Sequence, residues 1–300
     1  MPGPLSGVLP VFQTPFHADE SIDFDTLDRE LDFLFDHDIN GVVMAMVSEV
    51  LRLSTDERRV VAERVVSSVG DRGVTVVSVG AESSRVAVDL ARHAESVGAT
   101  AVMAIPPVAT GVGEDQVRDY YERLLNSVEV PVIVQDASGY VGRPMSIALQ
   151  AQLLDDFGDR VLFKPEASPP GPRLTGLREA TGGRARVFEG SGGLSLMDNY
   201  RRGVVGTMPG ADLVAANVAL WQALEAGDQE RADRIAMPLI AIVSLQTSLD
   251  GFLAVEKHLL VKQGVFSNKI VRGPVGFQLD DETRVEVDRL FDLLMTAVQS

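Results

Sequence analysis

Short apolar runs rich in β-branched residues return eight times over the first 210 residues, each followed by a stretch of helical periodicity. The runs fall at 7–12, 41–47, 74–79, 101–105, 131–134, 161–163, 185–188 and 204–207. Between the first two, at 25–38, Leu27, Leu31, Leu34 and Phe35 share one helical face. Ser54 and Glu57 form a capping box for the next helix, which carries Val60, Val61, Val65 and Val69. The runs are apolar throughout instead of alternating, the pattern of strands buried on both faces of a parallel sheet. Eight such units fit a closed (β/α)8 barrel. An open doubly wound sheet would carry a glycine-rich nucleotide loop after its first strand, and here that strand runs into Gln13-Thr14-Pro15-Phe16. From Ala211 onward the pattern is helical only, at 213–225, 229–249, 252–263 and 282–298. The expected fold is therefore α/β, a (β/α)8 TIM barrel at 1–210 with a C-terminal helical region at 211–300.

Composition narrows the function. A net charge of −16 argues against nucleic acid, whose phosphates require clustered Lys and Arg. No apolar run is long enough to span a bilayer, and Met1-Pro-Gly-Pro lacks the basic start and apolar core of a signal peptide. A cytoplasmic enzyme with no membrane partner is the expectation. The absence of cysteine excludes disulfides and thiolate metal sites, and His17, His37, His93 and His258 are scattered. Neither metal nor cofactor is expected.

In a barrel of this kind the chemistry collects at the C-terminal ends of the strands. Those ends carry Thr14, Ser48-Glu49, Gly80, Pro106-Pro107, Gln135-Asp136, Lys164-Pro165-Glu166, Glu189-Gly190-Ser191 and Thr207-Met208. Lys164 stands out, because every other positive charge before Lys257 is an arginine. Arginine can neither deprotonate nor form an imine, whereas a desolvated lysine does both. A buried amine attacking a ketone gives an iminium that acts as an electron sink. With a 2-keto acid, that sink permits loss of a proton at C3, then C–C cleavage or loss of a hydroxyl. The acid's carboxylate needs donors, for which Ser48 and the loop Gly190-Ser191-Gly192-Gly193 are candidates. The same loop is equally explained as a tight β-to-α turn.

Over its whole length the chain resembles the dihydrodipicolinate synthase/N-acetylneuraminate lyase family of Schiff-base lyases. The resemblance is carried by Thr14-Pro15-Phe16, by Ser48-Glu49 with Leu53-Ser54 and Glu57-Arg58, by Lys164, and by 190–207 with Arg202-Gly203 and Gly206. It implies that Lys164 is the imine-forming lysine, that the substrate is a 2-keto acid, and that the chain forms a homodimer or homotetramer. The departures bear on substrate. The family's paired threonines read Ala45-Met46-Val47-Ser48-Glu49, its strand-five tyrosine is Gln135, and its arginine a few residues on aligns with Tyr140. The second aromatic of the synthase relay is missing, with Val108 and Ala109 in its place. Synthase activity is therefore not expected. Gln135-Asp136-Ala137 and Ser48-Glu49 are instead similar to the branch containing L-2-keto-3-deoxyarabonate dehydratase.

The expected reacting groups are Lys164, Glu166, Gln135, Asp136 and Tyr140, with Glu49 a further candidate acid or base. Thr14, Ser48, Glu49, Gly190, Ser191 and Thr207 are expected to hold the substrate. Three functions stay open: dehydration of a 2-keto-3-deoxy sugar acid, aldol cleavage of a similar acid with Tyr140 as proton shuttle, and a non-catalytic binder on the same scaffold.

Overall fold

The eight runs pair in parallel, each with the next, in the computed structural model, which describes residues 5–300. The segment Met1-Pro-Gly-Pro, on which the expectation of no leader rests, lies outside the described residues. The chain order is β1 (Gly7–Val8), α1 (Phe24–Phe35), β2 (Gly41–Val43), α2 (Thr55–Val69), β3 (Val74–Ser78), α3 (Ser84–Ser96), β4 (Ala101–Ala104) and α4 (Glu114–Leu125). It continues with β5 (Val132–Asp136), α5 (Ile147–Phe157), β6 (Val161–Pro165), α6 (Pro170–Ala180), β7 (Phe188–Glu189), α7 (Leu196–Arg201) and β8 (Gly206–Thr207). Four helices follow, α8 (Val214–Ala226), α9 (Gln229–Ser244), α10 (Leu249–Lys262) and α11 (Asp281–Gln299).

β2 to β6 form one continuous ladder, and β7-β8-β1 form a second. Parallel bridges Val11↔Val43 and Phe163↔Val187 join the two and close the ring, giving the expected (β/α)8 barrel. The strand at 7–12 is shorter than expected for a covalent reason. Gly7, Leu9 and Val11 N–H all donate to the β8 side, at 3.0, 2.9 and 2.7 Å, but Pro10 has no N–H to offer β2, so pairing on that side is reduced to the bridge at Val11.

Alternation along each strand sorts the core into two layers. Leu9, Val11, Val43, Met103, Ile133, Leu162 and Phe188 fill the bore. Their neighbours Val42, Val102, Val132, Val134 and Phe163 point outward under the helices. Both layers are excluded from water, which is why the runs read as apolar without alternation.

The boundary between the expected helices 229–249 and 252–263 falls earlier in the chain. Ser248 accepts a hydrogen bond from Gly251 N–H at 3.0 Å and caps a new helix, so α9 ends at Ser244 and α10 begins at Leu249. α8 packs on β1 and α9, while α10 returns to the Met46–Ser48 turn after β2. The C-terminal helices thereby reach the mouth of the barrel. Arg272 fastens the segment beyond α10. Its two terminal nitrogens donate to both oxygens of Glu57 at 2.9 and 2.6 Å, and its guanidinium lies 4.5 Å from the Phe16 ring centroid.

That clamp makes stability depend on pH. Hydrogen bonding from Arg272 holds the Glu57 carboxyl down to about 2, against 4.5 for the ordinary side chain. The depressed value means that the contribution is present above the unfolded value and is lost as pH falls through the folded one. Glu57→Gln is expected to lower Tm at pH 7, with the gap from wild type closing as pH drops from about 4.5 towards 2. Thermal melts across that range check it.

Candidate active site

The alternation that sorts the core also selects the groups that meet at the mouth. In β6 Leu162 faces the bore, so Lys164 and Glu166 face it too. In β5 Ile133 faces inward and so does Gln135, which pairs in register with Lys164. Lys164 Nζ donates to Glu166 Oε1 at 2.7 Å, and Gln135 Nε2 donates to Glu166 Oε2 at 2.6 Å. The side chains of Lys164 and Glu166 are 4% and 6% exposed. Burial pushes the Glu166 carboxyl above its usual value, opposed by Lys164 and Gln135, while the Glu189 charge adds to the rise. A carboxylate bonded to an amine can take the amine's proton and free it as a nucleophile.

The amine opens on a cavity of about 40 Å3, walled by Ala45, Val47, Tyr140, Gly190, Met208 and Phe252. Gly190 is required by close approach. A Cβ there would lie 2.7 Å from Lys164 Cε, 2.8 Å from its Nζ and 2.9 Å from Glu166 Oε1. Tyr140 reaches the cavity from the loop after β5 and meets Phe252 edge-on at 5.7 Å. Burial raises its phenol, and the charges of Glu166, Glu189 and Glu256 raise it further, so the phenol holds its proton.

Of the expected groups, Lys164, Glu166, Gln135, Tyr140 and Gly190 converge here. The remaining six sit one residue out of phase, or in the following turn, and are bonded into the framework. Asp136 faces the helices, where it accepts from Met145 N–H at 3.0 Å and Ser138 N–H at 3.2 Å and pairs with Arg173 at 3.4 Å. It shapes the loop that carries Tyr140. Thr14 Oγ1 donates to Ser48 O at 2.6 Å, and Ser48 Oγ donates to Phe12 O at 2.6 Å. Thr207 Oγ1 donates to Glu189 at 2.6 Å, and Ser191 N–H donates to the same carboxylate at 2.5 Å. Glu49 accepts from Lys257 Nζ at 2.5 Å and from Arg272 N–H at 3.1 Å.

Lys257 is a second fully buried amine. It also donates to the carbonyls of Thr14 at 2.9 Å and Ile270 at 2.6 Å. Burial pushes its ammonium down, and Glu49 opposes that shift. Its three acceptors join the ends of β1 and β2 to α10 and to the chain beyond it. One cavity group, Glu256, and the residue that holds it, Gln13, are not among the expected site residues. Gln13 sits two residues beyond the inward Val11, so strand parity alone could have found it. Glu256 comes from α10, and nothing in its local sequence marks it. Among the described residues, no group of His, Asp or Glu is arranged to hold a metal ion.

The model of the dihydrodipicolinate synthetase family matches residues 4–293. L-2-keto-3-deoxyarabonate dehydratase of Azospirillum brasilense is 25% identical over 286 residues, 94% of this chain and 92% of its own. An uncharacterised DapA-like lyase of Pyrococcus horikoshii is 26% identical over 286 residues, 93% of this chain and 96% of its own. Among solved structures, dihydrodipicolinate synthase from Rhodopseudomonas palustris superposes with a TM-score of 0.88 at 27% identity, covering 96% of this chain and 97% of that one. The chain belongs to the dihydrodipicolinate synthetase family, and with it to the lyase class of enzymes.

The Lys257–Glu49 pair, both side chains 0% exposed, supports this site from beneath. Lys257→Met leaves buried Glu49 with only the more distant Arg52, at 4.0 Å, as counter-charge and is expected to cost about 3 kcal/mol of stability. Adding Glu49→Gln to that variant should recover part of the loss. Urea unfolding of the single and double variants measures both.

Proposed function

We propose that this enzyme forms an imine between Lys164 and a 2-keto acid and removes water across C3–C4 of a 2-keto-3-deoxy sugar acid. The observation that carries the proposal is the buried chain Lys164–Glu166–Gln135 in the bore, with Gly190 leaving room beside the amine. Glu166 accepts the ammonium proton, and the free amine attacks the C2 carbonyl carbon. The attacking nitrogen passes one proton to the oxygen and Glu166 returns the other, so that the oxygen leaves as water. The products of this stage are an iminium and a carboxylate side by side. The carboxylate takes the C3 proton, and the electrons are held in the resulting enamine. Gln135 keeps Glu166 oriented through both transfers.

Support for dehydration over the synthase reaction comes from the groups beside the amine. A phenol at the end of β5 would serve as a base at a hydroxyl, and Gln135 stands there instead. The similarity to L-2-keto-3-deoxyarabonate dehydratase points the same way. Aldol cleavage is the second reading, favoured by one observation: Tyr140 reaches the cavity from another backbone position. Its raised phenol makes it a poor base at the C4 hydroxyl.

Borohydride reduction in the presence of pyruvate, followed by intact-mass measurement, is expected to trap one adduct in the wild type and none in Lys164→Ala. An adduct that persists in Lys164→Ala removes the lysine from the chemistry. Glu166→Gln is expected to lower turnover by about 100-fold or more and to slow trapping too, since Glu166 serves both stages, while the end-point yield of adduct falls much less. Equal loss of both would remove Glu166 from proton transfer at C3. Product analysis with 2-keto-3-deoxypentonates separates the two reactions: a semialdehyde with all its carbons for dehydration, pyruvate plus an aldehyde for cleavage.

A further inference from the structure

Glu256 is a second carboxyl on the wall of the cavity that holds Lys164, and the steps above do not use it. It is only 2% exposed, although it belongs to α10 and not to the barrel strands. Gln13 Nε2 donates to its Oε2. Its Oε1 takes no hydrogen bond from any described residue and abuts Gly210, where a Cβ would lie 2.5 Å from it. Asp212 Oδ1 crowds the same point at 2.8 Å, so two carboxyl groups flank one glycine. Glu30 lies behind them, accepting from Gln13 N–H at 2.8 Å. Oxygens of Glu30, Asp212 and Gln13 are buried there without partners.

Three neighbouring carboxylates cannot all be charged in a low-dielectric interior. Lys257 is the nearest cation, and its ammonium is already committed to Glu49. Burial pushes Glu256 well above the ordinary carboxyl value, Asp212 and Glu30 push it further, and Lys257 opposes them. Asp212 itself is raised to about 7, again by burial. The groups facing Glu256 are Gln13 beyond β1, Glu30 on α1, Asp212 after β8 and Lys257 on α10, with Tyr140 and the Lys164–Glu166 pair lining the same cavity. A protonated acid is well suited to assist a departing hydroxide and unsuited to abstract a hydroxyl proton.

Resting on the imine chemistry above, we propose that Glu256 is the general acid of the elimination and delivers its proton to the C4 oxygen of the substrate held on Lys164. The C3–H bond breaks towards Glu166, leaving an enamine. The enamine pair then forms the C3=C4 bond as the C4–O bond breaks, and the oxygen leaves with the Glu256 proton as water. Loss of a C5 proton from the conjugated iminium, reprotonation at C3 and ketonisation of the C5 enol turn it into the iminium of the semialdehyde, whose hydrolysis frees the product and restores the Lys164 amine. The Glu256 carboxylate regains a proton from solvent or from its acidic neighbours before the next turnover.

Glu256→Gln keeps the shape and the hydrogen-bonding capacity of the side chain but holds no transferable proton. We expect it to trap pyruvate under borohydride as readily as wild type. Its kcat on a 2-keto-3-deoxypentonate should fall by about 100-fold or more, with KM changed by less than about threefold. Wild-type kcat should fall as pH rises and Glu256 loses its proton, and Glu256→Gln should lack that alkaline limb. Asp212→Asn removes a neighbouring like charge and should move the limb to lower pH. A kcat of Glu256→Gln within about threefold of wild type overturns the assignment, as does parallel loss of trapping and turnover, which marks a structural role. A Tyr140→Phe variant that alone shows the large loss transfers the role to Tyr140. Cleavage to pyruvate and an aldehyde by the wild type overturns the acid role and leaves the imine standing. Failure of the wild type to trap any 2-keto acid overturns both.

Discussion

Successive side chains of a strand point to opposite faces, and at the mouth of this barrel that rule decides which polar groups meet. Ring closure by pairing from β1 through β8 and back to β1 fixes one face of every strand to the bore. Gln135, Lys164, Glu166 and Gly190 then share one space, while Thr14, Asp136, Glu189 and Thr207 turn towards the helices. A shift of one residue in any strand would exchange the two sets. The outward set is not idle. Its hydrogen bonds to backbone set the shape of the turns that follow the strands, and one of those turns carries Tyr140.

Charge is handled in two different ways within a few residues of one another. Lys164 and Lys257 are both buried, each against one carboxylate. Lys257 has two further carbonyl acceptors and no way into the cavity, so it serves as a fixed cross-link. Lys164 has Glu166 alone as its side-chain acceptor, with space beyond its nitrogen. The same pair of residue types thus makes a structural tie where every donor is satisfied and leaves an amine facing open space where one side is free. The acidic groups divide in the same manner. Glu49 and Glu57 meet cations, while Glu30, Asp212 and Glu256 crowd together with none of their own and are pushed towards the neutral form.

The C-terminal helices belong to the function as well as to the packing. Lys257 and Arg272 fasten them to the ends of β1 and β2 and to α2. With α10 held there, Phe252 and Glu256 become cavity walls. The barrel supplies the amine and its carboxylate. The helix beyond it supplies the cover and the second acid.

The order of strands and helices, the closed parallel barrel and the lysine at the end of the sixth strand were all legible in the sequence, because they follow from local periodicity and from one conspicuous residue type. Glu166, Gln135 and Gly190 are marked by their places at strand ends, and Tyr140 by the family resemblance. Strand-end position alone does not give facing, so Thr14, Asp136 and Thr207 share it with Gln135 and Lys164 although their side chains turn away from the bore. Counting by twos from Val11 would have recovered Gln13, since the pleat is a local property of the chain. No such count reaches Glu256, which meets Gln13 across 243 residues, or shows that Ser48 and Glu49 are occupied by Phe12, Lys257 and Arg272. Those contacts are made only when α10 folds back over the mouth, and the charge state of the acids beside it depends on that burial. Sequence by itself determined the barrel and its amine. Tertiary structure alone decided which polar groups remain free to react, because freedom here means having no other partner.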